Sequence, residues 1–300
     1  MKIAFIGGGN MAAALIGGLL KQGFAAADIS AVEPFEAARA KLTAQSGIAC
    51  TAAPSAALGD VDVIVMAVKP QNMREAAQAV APYLKPRMTT QMTTQMTTQS
   101  VTAQSATSPA AQQLIVSIAA GTRIADLARW LGTDGKAHGS IVRCMPNTPA
   151  LVGLGITGMC AAAGVSHDQH ATAERILRAV GEVVWVNSEA LIDPVTAVSG
   201  SGPAYVFYFL EAMIEAGTKL GLDAASAKRL AIATFTGAAK LAADSSDDLA
   251  TLRANVTSKG GTTAAALQVM MERQVKEAIG SAVEAASARG RELGEMLGRD

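Results

Sequence analysis

The sequence predicts two domains of different class. An α/β domain built on a doubly wound parallel sheet covers residues 1–187, and an all-α domain covers residues 188–300. Three observations predict them. Short apolar runs rich in β-branched residues alternate with amphipathic stretches as far as Asn187, the pattern of strands and helices in one sheet. A glycine-rich turn separates the first of these runs from the first helical stretch. Beyond Asn187 strand signals largely stop and one helical stretch follows another.

Lys2–Ile6 (KIAFI) reads as a short buried strand, and residues 13–21 (AALIGGLLK) read as a helix. Between them lies Gly7-Gly8-Gly9-Asn10-Met11-Ala12, which has the spacing G-x-G-x-x-A of a dinucleotide fingerprint. Gly7 permits the tight turn, Gly9 lets a pyrophosphate approach the backbone, and Ala12 lets helix and strand pack closely. The helix start then offers free N–H groups and a partial positive charge to the phosphates. Asp28–Glu33 reads as the second strand, and Glu33 ends it at about the distance of a ribose-binding acid. Together these features predict a Rossmann-like domain holding NADPH or NADH. A carboxylate at Glu33 would repel a 2′-phosphate and accept a 2′-hydroxyl, which favours NADH with NADPH still accepted. The bland alternative is a glycine-rich turn used only for packing.

Pro34–Gln45 reads as a helix ended by Gly47, followed by a short strand over 48–51 and a short helix over 54–58. Val61–Val68 is continuously apolar, as in a buried parallel strand. It ends at Ala67, Val68, Lys69 and Pro70, on the carboxyl edge where a doubly wound sheet binds ligands. Lys69 there serves the nicotinamide side or is a solvated lysine at a helix start. A helix over 73–83 leads into the oddest segment, 88–113, where Met-Thr-Thr-Gln occurs three times in tandem from Met88 to Gln99. Low complexity and lack of charge predict a flexible excursion at the amino edge of the sheet, without catalytic role, with a short extra strand or ribbon built on the threonines as the alternative. Leu114–Ala119 is the next strand, and Ala119, Ala120 and Gly121 bring small residues to the cofactor edge. A helix over 124–131 and a strand over Ile141–Met145 follow. Pro146 and Pro149 bracket Asn147 and Thr148, either a rigid loop placing Asn147 toward the cofactor or a plain turn. Strands over 156–161 and 183–186, joined by a helix over 167–180, complete the first domain.

In the second domain Pro203–Gly217 is a helix apolar nearly all round. Such a helix is normally buried on every side, and a domain this small cannot bury it alone, which points to a subunit interface. Ser199 to Ser201 precede it as a small-residue turn able to cap or bind at its N-terminus. Helices follow over 224–243 with Asp223 as cap, and over 248–255. Next comes Val256–Thr263 (VTSKGGTT), which opens a helix through Glu272, before a last helix over 276–297. Hydroxyls, two glycines and a helix start suit a small carboxylate held by Ser258 and the backbone of Gly260, Gly261, Thr262 and Thr263. The alternative is an elaborate N-cap with Thr263 as capping residue.

Composition excludes several classes. Formal net charge is zero and no long basic run occurs, so nucleic acid is not an expected partner. Three cysteines and three histidines, scattered and without C-x-x-C, predict reduced thiols in the cytoplasm and no metal site. The apolar start resembles a secretory signal, but Gly7 to Asn10 interrupt it, and no other apolar run is long enough to span a bilayer.

Val61–Gln71, Arg143–Pro149, Val198–Tyr205 and above all Leu249–Met270 resemble pyrroline-5-carboxylate reductases. The resemblance covers nearly the whole chain except the Met-Thr-Thr-Gln insertion. It implies NAD(P)H-dependent reduction of the cyclic imine 1-pyrroline-5-carboxylate to L-proline, the last step of proline biosynthesis. It also implies a homodimer through the helical domain, often assembled into a decamer. Carried onto this chain, Gly7, Gly9, Asn10 and Met11 hold the pyrophosphate, and Lys69 and Pro70 flank the nicotinamide. Ser258, Gly261 and Thr262 hold the substrate carboxylate, and Thr263 hydrogen-bonds the ring nitrogen. Rival readings are a β-hydroxyacid dehydrogenase, for which Lys259 is the lysine to test, and a non-catalytic dinucleotide-binding redox sensor.

Overall fold

A computed structural model describes residues 1–85, 112–133 and 135–299. By packing, the chain forms two compact units: Met1–Gly200 with the C-terminal stretch from Arg289, and Ser201–Ala288. The boundary expected from sequence lay at 187, with the whole C-terminus in the second domain.

The first unit is organised by one sheet. Strands β1 (Ile3–Ile6), β2 (Ile29–Val32), β3 (Ala49–Thr51), β4 (Val63–Met66), β5 (Leu114–Ser117), β6 (Ile141–Met145), β7 (Gly155–Ala161) and β8 (Gly181–Trp185) stand in the order β3-β2-β1-β4-β5-β6-β7-β8. All four residues of β1, β4 and β5 are buried, because helices cover both faces. Two apolar cores result. One centres on Phe5, Leu15, Val65 and Val116, and the other on Ile64, Met73, Ile115 and Trp130. The helices are α1 (Asn10–Lys21), α2 (Glu36–Ser46), α3 (Met73–Val80), α4 (Ile124–Trp130) and α5 (His167–Leu177).

Six strands are parallel, as expected, but the last two run the other way. β7 is antiparallel to β6, and β8 is parallel to β7. The connection from Met145 to Gly155 is too short for a crossover helix, so the chain turns back on itself. From β1 the chain builds outward through β2 and β3, then returns to β4 on the other side of β1. The carboxyl ends of β1 and β4 therefore form the switch point at which such sheets bind ligands.

The repeats Met88 to Gln99 lie outside the described residues, and only Gln112 and Gln113 of the predicted insertion lie within them. Its two flanks meet: the Lys85 N–H donates to Gln113 Oε1 (2.9 Å), and Gln113 Nε2 donates to the carbonyls of Leu58 and Val61 (2.7 Å each). Both flanks lie before β5, at the amino edge of the sheet.

Residues 189–200, where no element is expected from sequence, form α6 (Ile192–Val195) between a short 3₁₀ turn and a π turn over Thr196–Gly200. The second unit is helical: α7 (Gly202–Lys219), α8 (Ala224–Asp244), α9 (Leu249–Asn255), α10 (Thr262–Glu272) and the first part of α11 (Val275–Leu297). Asp223 caps α8 through the Ser226 N–H (2.9 Å), and Asp248 caps α9 through the Thr251 N–H (2.7 Å). The Ser226 hydroxyl and then its N–H hold the Asp223 carboxyl below the usual aspartate range, and the Thr251 N–H and then its hydroxyl do the same for Asp248.

Candidate active site

The dinucleotide loop is built by close approach at the switch point. Gly7 has φ +99°, and a Cβ there would lie 2.7 Å from the Ala67 carbonyl oxygen and 3.1 Å from Val68 Cγ1. Only glycine meets both conditions. The Gly7 N–H donates to the Val32 carbonyl (2.8 Å), tying the turn to the end of β2. Gly9 faces open space and is the N-cap of α1, which no side chain caps. A helix start left open in this way fits a diphosphate, with Asn10, Met11 and Ala12 supplying the first N–H groups. Ala12 is fully buried against the core. A cavity of roughly 280 Å³ opens beside the loop, walled by Gly7, Val32, Pro34, Ala53, Pro54 and Val68.

Other expected residues stand around the same sheet edge. Exposed Lys69 precedes the 3₁₀ turn that begins at Pro70. Ala119 is buried, Ala120 and Gly121 follow β5, and Gly121 has φ +73°. Asn147 is committed to protein partners. Its Nδ2 donates to the Ser199 carbonyl (3.2 Å), and its Oδ1 accepts from the Ile156 N–H (3.0 Å). Thr148 starts a 3₁₀ turn over Thr148–Val152, so this loop is not a plain turn. The Ser199 hydroxyl donates to the Val195 carbonyl (2.9 Å) within the π turn, an element that recurs at functional sites.

Glu33 differs from its expected orientation. It is buried, Oε2 accepts from the Gly8 N–H (2.8 Å), and Oε1 accepts from the Phe35 N–H (3.0 Å). Two backbone donors thus turn the carboxylate toward the loop. Sequence reasoning passed over both Gly8 and Arg39, whose Nη1 donates to the carbonyls of Glu33 (2.8 Å) and Pro34 (2.6 Å). It also passed over the ion pairs of Arg143. That residue is 4% exposed, with Nη1 2.8 Å from Glu189 Oε1 and Nη2 3.6 Å from Asp193 Oδ1. Glu189 Oε1 also accepts from the Ile124 N–H (2.7 Å), so the network ties β6 to the start of α4. The available signal was one charge inside the apolar run of β6.

In the second unit, residues 257–263 fold into a compact turn. The Thr257 hydroxyl donates to the Arg253 carbonyl (2.6 Å), the Gly261 N–H donates to the Ser258 carbonyl (3.0 Å), and Gly260 has φ +72°. Gly261, and not Thr263, is the N-cap of α10, and no side chain caps that helix. The capping alternative for Thr263 is therefore corrected. Thr262 and Thr263 are the first two helical residues, and their N–H groups are among those with no partner inside the helix.

Comparison with known proteins identifies the family. Residues 189–293 match a model described as pyrroline-5-carboxylate reductase dimerisation, and residues 2–89 match one described as NADP oxidoreductase, coenzyme F420-dependent. The pyrroline-5-carboxylate reductase of Pseudomonas aeruginosa is 45% identical over 298 residues, covering 99% of this chain and 98% of that one. The chain belongs to the pyrroline-5-carboxylate reductase family. The pyrroline-5-carboxylate reductase of Escherichia coli is 35% identical, with 93% of each chain covered. Among solved structures, a pyrroline-5-carboxylate reductase from Coxiella burnetii matches with a TM-score of 0.81 at 34% identity, covering 97% of this chain and 98% of that one. A pyrroline carboxylate reductase from Plasmodium falciparum with NADP bound matches with a TM-score of 0.78 at 27% identity, covering 98% of each chain. The two matching models cover the glycine loop in the first unit and the threonine turn before α10 in the second.

Proposed function

We propose that this protein reduces 1-pyrroline-5-carboxylate to L-proline with NADPH or NADH, the last step of proline biosynthesis. The observation that carries this reading is the family match across both units, at 45% identity over nearly the full length. The geometry supports it. The open start of α1 and the glycine loop suit a diphosphate, and the apolar cavity beside Pro34 and Pro54 suits a flat adenine ring. The cofactor supplies the hydride.

The protein's part is binding and orientation. Ala67, Val68, Lys69 and Pro70 on one strand end, and Ala119, Ala120 and Gly121 on another, bound the nicotinamide side. Ser199, Ser258 and the N–H groups of Gly260, Gly261 and Thr262 hold the substrate carboxylate. Thr263 orients the ring nitrogen. A hydroxyl is poorly matched to strong acid catalysis, so Thr263 positions the ring nitrogen or relays a proton to it. Reduction of a protonated imine needs no nucleophile. Among the described residues no group of side chains could hold a metal ion, and none is assigned a role.

The helical unit forms a homodimer, and decamer assembly is part of the same proposal. The enzyme works in the cytoplasm, in keeping with its three free cysteines. Among the described residues no helix is long and apolar enough to cross a membrane. The test is oxidation of NADPH and of NADH, in parallel, with pyrroline-5-carboxylate. Rapid turnover with proline as product is expected. Tight dinucleotide binding without turnover would sink the reading in favour of a sensor or another substrate.

A further inference from the structure

The end of β2 carries a buried acid, Glu33, and the first turn of α2 carries Arg39 beside it, and they do different things. The Glu33 backbone is fixed in the sheet edge by its N–H donating to the Thr51 carbonyl (2.9 Å). Its carboxylate is 7% exposed and uses both oxygens, one on the Gly8 N–H and one on the Phe35 N–H. Gly8 is the middle residue of the glycine loop, and a Cβ on it would lie 3.3 Å from Glu33 Cγ. The glutamate side chain therefore packs against the loop as well as bonding it. Turning the carboxylate outward to a ribose would break two charge-assisted hydrogen bonds and leave two backbone donors without partners. The Arg39 guanidinium, by contrast, is clamped by Nη1 onto the carbonyls of Glu33 and Pro34. That clamp sets a fixed cation at the strand end that borders the ribose in doubly wound sheets, where an arginine accommodates a 2′-phosphate.

We propose that Glu33 is a positioning residue that holds the glycine loop through Gly8, and that Arg39 is the residue that favours a cofactor carrying a 2′-phosphate. The inference rests on the dinucleotide reading above and reverses the preference for NADH expected from an acid at position 33. The charge of Glu33 is spent on backbone donors, so it does not exclude the phosphate.

The test is fluorescence titration of NADPH and NADH against the purified full chain, alongside steady-state kinetics. Glu33→Gln keeps the shape and one acceptor. It should weaken both cofactors by a similar factor, about threefold to tenfold for one lost charge-assisted bond. That loss should fall on cofactor Kd and KM more than on kcat. Glu33→Asp keeps the charge but withdraws it from Gly8, and it should show the same even loss. Arg39→Met should shift the ratio of the two Kd values about tenfold toward NADH, and Arg39→Lys should recover part of the shift. Tighter NADPH with weaker NADH in Glu33→Gln, or intact NADH affinity in Glu33→Asp, would return Glu33 to the ribose. An unmoved ratio in Arg39→Met would overturn the role of Arg39. The titrations need no imine, so failure of turnover alone would leave these outcomes decisive, whereas a chain that bound neither dinucleotide would overturn both readings.

Discussion

At the scale of single residues, the site depends on positions whose backbone geometry leaves no choice of side chain and on hydroxyls left free by the fold. Gly7 belongs to the first kind, since its positive φ and its approach to Ala67 exclude any Cβ. Thr263 belongs to the second. It is the second residue of α10, and the cap is Gly261, so its hydroxyl does not serve the helix end. Removing that hydroxyl should therefore separate catalysis from stability. Thr263→Ala should lower kcat about tenfold, the worth of one hydrogen bond made in the transition state. Stability should change by no more than about 0.5 kcal/mol, since alanine is the better helix former. Thr263→Ser should recover most of the rate. Stopped-flow or steady-state kinetics beside a thermal melt would measure both, and unchanged kinetics in a folded Thr263→Ala protein would remove the residue from the mechanism.

At the scale of elements, legibility followed burial. β1, β4 and β5 were readable because strands covered on both faces are uninterrupted apolar runs, and the loop after β1 was readable because its glycines answer to steric demands. The reversal of β7 and β8 was less visible, since strand direction depends on the length of a connection and not on the composition of the strand. Residues 189–200 escaped because Pro194, Ser199 and Gly200 read as helix breakers, whereas they form a short helix and a π turn in which Gly200 lies against Met145. The orientation of Glu33 was hidden for a related reason: its partners are backbone N–H groups, which every sequence has. One buried element edge carries a pH signature. His138 is 3% exposed beside β6, and its Nε2 donates to the Gln113 carbonyl (2.8 Å). Burial holds its pKa below the ordinary histidine value of 6.5, against an opposing push from the hydrogen bond to Gln113. With the folded-state pKa depressed, the unfolded chain takes up the proton first. Stability is therefore full above about pH 6.5 and falls as pH drops toward the lowered folded-state value. Melting temperatures between pH 7.5 and 5 should fall more for the native chain than for His138→Gln, and parallel curves would show that His138 contributes nothing to the pH dependence.

At the scale of the whole molecule, two features lead to predictions. The Met-Thr-Thr-Gln repeats are bracketed by flanks already joined through Lys85 and Gln113, so a shorter connection closes across the same gap. Deleting Met88–Gln99 shortens the connection between Lys85 and Gln112 from 26 residues to 14 and changes its closure free energy by only about 0.5 kcal/mol. Turnover should be retained within about twofold, because both flanks lie at the amino edge of the sheet, opposite the carboxyl edge where ligands bind. A folded but inactive deletion variant would contradict that placement. The second feature is the apolar surface of the helical unit. α7 buries none of its residues, with Phe207 60% and Tyr208 74% exposed, and Leu230 on α8 is 56% exposed. Apolar surface on this scale marks an association site, and the matching family model describes this stretch as a dimerisation region. The native chain should therefore sediment at a multiple of 30.5 kDa. Phe207→Asp combined with Leu230→Asp places a charge on each of two helices where a partner's apolar side chains would strip it of water, a cost of several kcal/mol per unpaired carboxylate. The variant should dissociate toward monomer, melt at a lower temperature and lose turnover. If it sedimented and turned over like the native chain, the interface would have to lie on another face.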